Sequence, residues 1–220
     1  KLTVPIKDFH HTPKRYEHLL ATVSLDPKDR AKDCTQEIDF IKKHAKGIDI
    51  IINALGDGTI PWRVTHNDTK LNNLLFDKDT KKGLAVIDLD TVMPGSLLFD
   101  FGDAIRSGAS TCCEDSKEIA KVCIDLELFR AFTEGYLGVL CDCMCKKEIE
   151  LLPISAFLMT FECGMRFLDD YIDGDKYFKT DCDGHNLVRA RTQLKLAEDI
   201  LNKLDLMREI VDKIVSKQQK

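Results

Sequence analysis

Hydrophobic and polar positions along this chain change their period near residue 60, and that change divides the sequence. Residues 5–12 (PIKDFHHT) predict an extended entry segment. Thr12-Pro13 then offers an N-cap and a first-turn proline for a helix reaching about Ser24, and Asp26-Pro27 breaks it. From about Asp29 to Ala54, Ile38, Ile41, Ala45, Ile48 and Ile52 recur at helical spacings. They predict one long helix with a single buried face, ended by Gly56-Asp57-Gly58. From Pro61 the apolar runs shorten. Asn73–Phe76 and Gly83–Asp88 have strand length and flank a polar turn, residues 77–82, which predicts a β-hairpin. Asn73 would start its first strand and Asp88 end its second, so both lie at one end, on strands only about 5 Å apart. Beyond Pro94-Gly95 the pattern turns helical again, over about 100–108, 116–140, 147–171 and 187–215, with Asp173-Gly174-Asp175 and Asp183-Gly184 as interruptions.

Composition narrows the class. With 220 residues, 44% hydrophobic and 31% charged, the chain can bury a substantial core. Net charge is −5 and the basic residues are interleaved with acidic ones, so nothing forms the basic stripe that a nucleic-acid partner requires. The apolar runs fall short of the roughly 18–20 residues of a membrane helix, and no charged-then-apolar leader opens the sequence. The expectation is a cytoplasmic protein with neither membrane nor nucleic acid as partner. Nine cysteines, an odd number without a regular framework, read as reduced thiols. Cys141, Cys143 and Cys145 lack the paired spacing and fourth ligand of a zinc site.

Chemistry concentrates in His66-Asn67-Asp68-Thr69-Lys70-Leu71-Asn72-Asn73, spaced His-x-Asp-x-Lys-x-x-Asn, with Asp88 closing an apolar strand fifteen residues after Asn73. Phosphoryl transfer needs a carboxylate to accept the proton of the attacking hydroxyl, a role that suits Asp68. It also needs magnesium, a hard ion often held by one or two protein oxygens plus phosphate and water, which suits Asn73 and Asp88. Lys70 can present a point charge to a phosphate, while His66 is read as a brace for the loop backbone. The alternative is that Asp68 and Asn73 merely cap turns. Asp90 can support the metal shell through water. Asp100 and Asp103 can cap a helix or position the loop, with Arg106 neutralising them.

HNDTKLNN followed by VIDLD resembles the catalytic loop and metal-binding Asp of the phosphotransferase family that includes aminoglycoside and choline kinases. Asn67 and Asp88-Leu89-Asp90 stand where protein kinases carry His-Arg-Asp and Asp-Phe-Gly, so a protein substrate is disfavoured. Over longer stretches, DFHHTPKRYE, RVTHNDTKLNNLLFD, VIDLDTVMPGSLLFDFGDAIRSGA, FECGMRFLDDYIDGDKYF and GHNLVRARTQLKLAEDI are similar to N-acetylhexosamine 1-kinases. The resemblance implies a mainly helical α+β fold, the C-terminal lobe of a protein-kinase-like fold in which a small hairpin carries the metal site. It implies ATP as co-substrate, Mg2+ as cofactor and an amino sugar as acceptor. Asp68 would be the base, Asn73 and Asp88 the magnesium ligands, Asn73 thereby also lying on the ATP side, and Arg166 and Tyr177 sugar contacts. Arg166 has a second reading, since Glu162 and Asp170 lie four residues to either side on a predicted helix and can pair with it.

The residues that grip ATP in such folds, a strand lysine and a phosphate-covering glycine loop, are not identifiable in residues 1–220. The first residue is not Met, so the start reads as a cut, with an upstream nucleotide-binding lobe expected. The chain alone would then be inactive or nearly so, and an exposed apolar strip would invite homodimer formation. Two other readings stay open: a kinase for an amino alcohol or aminoglycoside, and a non-catalytic sugar or nucleotide sensor.

Overall fold

The computed structural model describes residues 3–218. The order of elements is α1 (Thr12–Leu25), α2 (Thr35–His44), α3 (Ile50–Gly56), β1 (Arg63–Thr65), β2 (Leu74–Phe76), β3 (Gly83–Val86), β4 (Met93–Gly95), α4 (Leu97–Gly108), α5 (Leu126–Leu140), α6 (Lys146–Asp173), α7 (His185–Asn202) and α8 (Leu204–Gln218). This is a mainly helical α+β arrangement.

The helix α6 organises the rest. Its apolar residues surround the axis, and Leu152, Ala156, Phe161, Met165, Leu168 and Ile172 are fully enclosed, the signature of a helix in the middle of a core. It packs against α7, α4 and α1. By length and apolar content α6 could cross a bilayer, contrary to the expectation from run length, but 83% of its most apolar window is buried by its own neighbours. Its start is fixed by Glu148, whose carboxylate accepts the Cys145 N–H at 2.8 Å and pairs with Arg63 of β1 at 2.8 Å. It ends at Gly174, whose φ of +102° continues the chain in the left-handed region.

Several local expectations are corrected. His11, not Thr12, caps α1: its Nδ1 accepts the Lys14 N–H at 3.3 Å, while the Thr12 hydroxyl donates across to Glu162 at 2.6 Å. The single helix expected over 29–54 is a short 3-10 turn followed by α2 and α3. Gly47, at φ +82°, breaks it while Ile38, Ile41, Ile48 and Ile51 still reach one core. Residues 116–125 are not α-helical and hold only a 3-10 turn at Ile119–Lys121. Val122 and Ile124 are buried in alternation, Ser110 bridges Ile124, and Asp125 caps α5 by accepting N–H bonds from Glu127 and Leu128. The long C-terminal helix is two, parted at Lys203, where α7 ends.

Two antiparallel pairs position the loops. β2 and β3 form the expected hairpin, Leu74 opposite Val86. The pairing of β1 with β4, Thr65 opposite Met93, was not foreseen, and it sets the loop after β1 beside the start of α4. The hairpin and its surroundings leave Leu71, Leu75, Phe76, Leu84, Val86 and Leu89 exposed.

Candidate active site

The loop 66–73 is suspended from the first turn of α4. Asp100 accepts the His66 N–H at 2.9 Å on one oxygen and the Asn67 N–H at 2.7 Å on the other, and its own carbonyl receives the Thr69 hydroxyl at 2.6 Å. Burial pushes the Asp100 carboxyl pKa up, while the two N–H donors pull against that rise. Asn67 sits at φ +64°, a conformation that Asn tolerates better than most residues, and the Thr91 hydroxyl donates to the His66 carbonyl at 2.7 Å.

This anchoring presents Asp68 at the edge of the loop. Its Oδ2 receives the Lys70 ammonium at 2.7 Å and the Asn73 amide N–H at 3.0 Å, and Asn73 also donates to the Asp68 carbonyl at 2.8 Å. Oδ1 takes no hydrogen bond from the described residues, so one basic oxygen faces outward. Lys70 thus pairs directly with Asp68 at the edge of the loop. His66 accepts the Asp68 N–H on Nδ1 at 3.3 Å and donates from Nε2 to the Ile87 carbonyl at 2.9 Å, which ties the loop to the residue before Asp88.

Asn73 and Asp88 come together as the hairpin continues past its strands: the Ile87 N–H donates to the Asn73 carbonyl at 2.9 Å. Asp88 adopts φ +63°, and its exposed carboxylate has no protein partner among the described residues. With its amide N–H2 committed to Asp68, Asn73 has an oxygen left over. Each oxygen is of the hard type that magnesium accepts, Asp88 lining the cleft and Asn73 buried at the base of the loop. No cluster of three His, Cys, Asp or Glu side chains gathers among the described residues. Asp90 is exposed in the 3-10 turn 89–91 and is not brought into contact with Asn73 or Asp68 by any hydrogen bond.

A cleft of about 720 Å³ opens beside this loop, walled by Asp68, Asp88, Asp103, Arg106, Arg166 and Tyr177 among others. Arg106 is buried and pairs with Asp103 at 2.8 Å and Glu114 at 2.7 Å, not with Asp100, so the expected neutralisation of both α4 carboxylates holds for one only. Burial works against the Arg106 charge, but Cys163, Asp103 and Glu114 beside it hold its pKa well above the ordinary value.

Across the cleft, Arg166 makes no hydrogen bond or ion pair among the described residues. Its guanidinium lies 5.4 Å from the Phe9 ring, 5.6 Å from Tyr177 and 5.3 Å from Phe178. The helical neighbours that would pair with it are engaged elsewhere. Glu162 binds His10 at 2.8 Å and Thr12, and Asp170 accepts the backbone N–H groups of Lys176, Tyr177 and Phe178 and the Asn186 amide. Arg189, on the same wall, forms no ion pair among the described residues either, and its Nε is buried without a partner.

Sequence reasoning overlooked His10, Phe9 and Thr91. Phe9 and His10 lie in the quoted DFHHTPKRYE segment, but their partners are more than fifty residues away in sequence, and no local spacing signals such pairs.

Residues 5–120, just over half of the chain, match the Phosphotransferase enzyme family. That stretch contains the loop 66–73, Asp88 and the first turns of α4. Kinase-type transfer from ATP to a small molecule is the chemistry this family implies, and the chain belongs to the Phosphotransferase enzyme family.

Proposed function

We propose that the complete protein transfers the terminal phosphoryl group of ATP to the anomeric hydroxyl of an N-acetylhexosamine, GlcNAc or GalNAc, releasing the sugar 1-phosphate and ADP. The observation that carries the acceptor class is Arg166, a guanidinium without a carboxylate partner, facing the same cleft as Asp68. Aromatic cages of this kind take quaternary ammonium ligands when empty, but here the protein's own cation fills the space among Phe9, Tyr177 and Phe178. Arg166, Arg189 and Lys179 present like charge to a polycationic aminoglycoside or a choline headgroup on their part of the lining, while Glu114 and Asp115 also line the cleft. A neutral sugar carries no charge to repel. Its hydroxyls and amide carbonyl can accept N–H bonds from Arg166, and a sugar face can pack on Tyr177.

In this reading Asp68 Oδ1 accepts the proton of the anomeric hydroxyl as that oxygen bonds to the γ-phosphorus, and the bond to the bridging oxygen breaks with its electron pair leaving on ADP. Lys70 holds the other Asp68 oxygen, which fixes the orientation of the base. Magnesium held by Asn73 and Asp88 would bind phosphate oxygens and offset their charge. His66 fixes the approach of Asp88 to the loop. Residues 1–220 would be the catalytic lobe of a cytoplasmic enzyme whose upstream lobe grips ATP. The exposed apolar hairpin supports a covering surface there, with homodimer formation as its counterpart in the 220-residue chain alone.

The test is ATP- and magnesium-dependent phosphate transfer by the complete protein to GlcNAc, GalNAc, choline and kanamycin, with Asp68→Asn alongside. The expected result is transfer to the anomeric position of an amino sugar, reduced about 10²–10⁴-fold or more by the substitution. Preference for choline or kanamycin would overturn the acceptor, and transfer to none of them would favour a binding role.

A further inference from the structure

Behind the reacting loop, His10 is enclosed, with 8% of the residue exposed. Its Nδ1 lies 2.8 Å from Glu162 Oε1, and its Nε2 lies 2.8 Å from the carbonyl oxygen of Asn67. A carbonyl only accepts, and so does an ionised carboxylate. With Glu162 ionised, both ring nitrogens carry protons and the ring is an imidazolium. Glu162, 1% exposed, is secured at its other oxygen by the Thr12 hydroxyl at 2.6 Å.

The remaining surroundings are the rings of Phe9 and Phe99, centred 4.5 and 5.1 Å away. The charged groups that act on the pair are Arg166 from α6 and Arg15 from α1, both near Glu162, and Asp100 and Asp103 from α4. Burial alone would strip the proton from His10, but the hydrogen bond and charge of Glu162 and the Asn67 carbonyl outweigh it and raise its pKa. For Glu162, burial would raise the pKa, yet the His10 hydrogen bond and charge lower it. The two directions agree on an ionised pair.

The Asn67 carbonyl belongs to the peptide that leads into Asp68, and Asn67 holds the left-handed conformation that turns the chain there. The His10 proton on Nε2 thus secures the backbone next to the candidate base, and Glu162 keeps that proton in place. We propose that the buried His10–Glu162 pair is a positioning device for Asp68, which aligns the base only while His10 is charged and so closes phosphoryl transfer at alkaline pH. This rests on Asp68 acting as the base of the reaction proposed above. When His10 loses a proton, the remaining N–H stays with the stronger acceptor, the Glu162 carboxylate. Nε2 then turns a lone pair toward the Asn67 carbonyl, and the two repel. Because the folded pKa of His10 is raised, alignment is complete below the ordinary histidine value of about 6.5 and is lost as pH rises through the folded value.

The experiment joins imidazole ¹⁵N NMR to the pH profile of kcat in the complete protein, for wild type, Glu162→Gln and His10→Gln, with Asp68→Asn as a separate control. The wild-type His10 resonances are expected to be those of a doubly protonated ring at neutral pH, with an NMR midpoint that coincides with the alkaline limb of kcat. In Glu162→Gln both midpoints fall together, by about one pH unit or more. His10→Gln loses that limb and about 10²-fold in kcat, with KM for ATP and acceptor changed much less. A neutral His10 at pH 7, or an NMR midpoint that moves in Glu162→Gln while the kcat limb stays fixed, overturns the proposal. Retained activity in Asp68→Asn would instead refute the assignment of the base, with the NMR still reporting the state of the pair.

Discussion

A methyl group added at Gly102 tests how tightly the site is coupled to the core. Gly102 lies on the face of α4 that meets α6. A Cβ there would overlap the Ser155 carbonyl oxygen and lie 2.6 Å from Met159 Cγ and 2.8 Å from the Ser155 carbonyl carbon. Ordinary carbon contacts are about 3.5–4.0 Å, so α4 and α6 would have to separate by roughly 1 Å. Both flanks are fully packed, with Phe101 and Ile105 on one helix and Ala156 and Leu152 on the other. Overpacking of this kind costs about 1–3 kcal/mol, which for a chain of this length lowers Tm by roughly 2–12 °C. The same displacement moves Asp100, from which the loop 66–73 hangs, and a shift of about 1 Å at a reacting group costs about 10²-fold in rate. Gly102→Ala is therefore expected to lower urea-unfolding stability and kcat together, while KM changes little. Unchanged stability, within about 0.5 kcal/mol, together with unchanged kcat would refute the close approach and the linkage of α4 to the proposed base, Asp68.

One further substitution and one labelling experiment read different parts of the structure. Asp100→Asn offers an amide donor to one of two N–H groups that both need an acceptor. It should destabilise the chain by about 1.5–3 kcal/mol in urea unfolding and depress kcat, whereas wild-type values for both would show that the loop is held by something else. Burial pushes the thiols of Cys34 and Cys163 to about 12, while Cys143 and Cys182 are exposed. Brief alkylation at pH 8 followed by mass spectrometry should modify the exposed pair and spare the other two until denaturant is added; equal labelling of Cys34 in the native state would contradict its enclosure.

The parts legible in the sequence are those whose signal is local. The loop 66–73 concentrates its chemistry in eight consecutive residues, the hairpin alternates short apolar runs about a polar turn, and α6 runs for 28 residues with apolar positions on every side. Where the signal is split across the chain, it failed. Strands β1 and β4 have three residues each and find their partners about thirty positions apart, too short to set a period. The break at Gly47 lies inside an apolar spacing that continues across it, because both flanking helices face one core. Spacing on α6 suggested Glu162 and Asp170 as partners for Arg166. It could not reveal that a histidine 152 residues away and a set of backbone N–H groups had already claimed those carboxylates.

The engagement of Asp170 bears on how the proposed acceptor would be received. One carboxylate, 6% exposed, gathers three successive backbone N–H groups and an asparagine amide, and so fixes the segment that carries Tyr177 while leaving that ring 70% exposed. The backbone of this part of the rim is tied down by hydrogen bonds before any molecule arrives. Ordering a free loop on binding would cost about 0.5–1.5 kcal/mol for each immobilised side chain, and here that entropy was already lost when the chain folded. On the proposed reading, discrimination among acceptors then depends on shape matched to a standing surface, so a sugar of the wrong configuration would meet a wall that does not remodel to accept it.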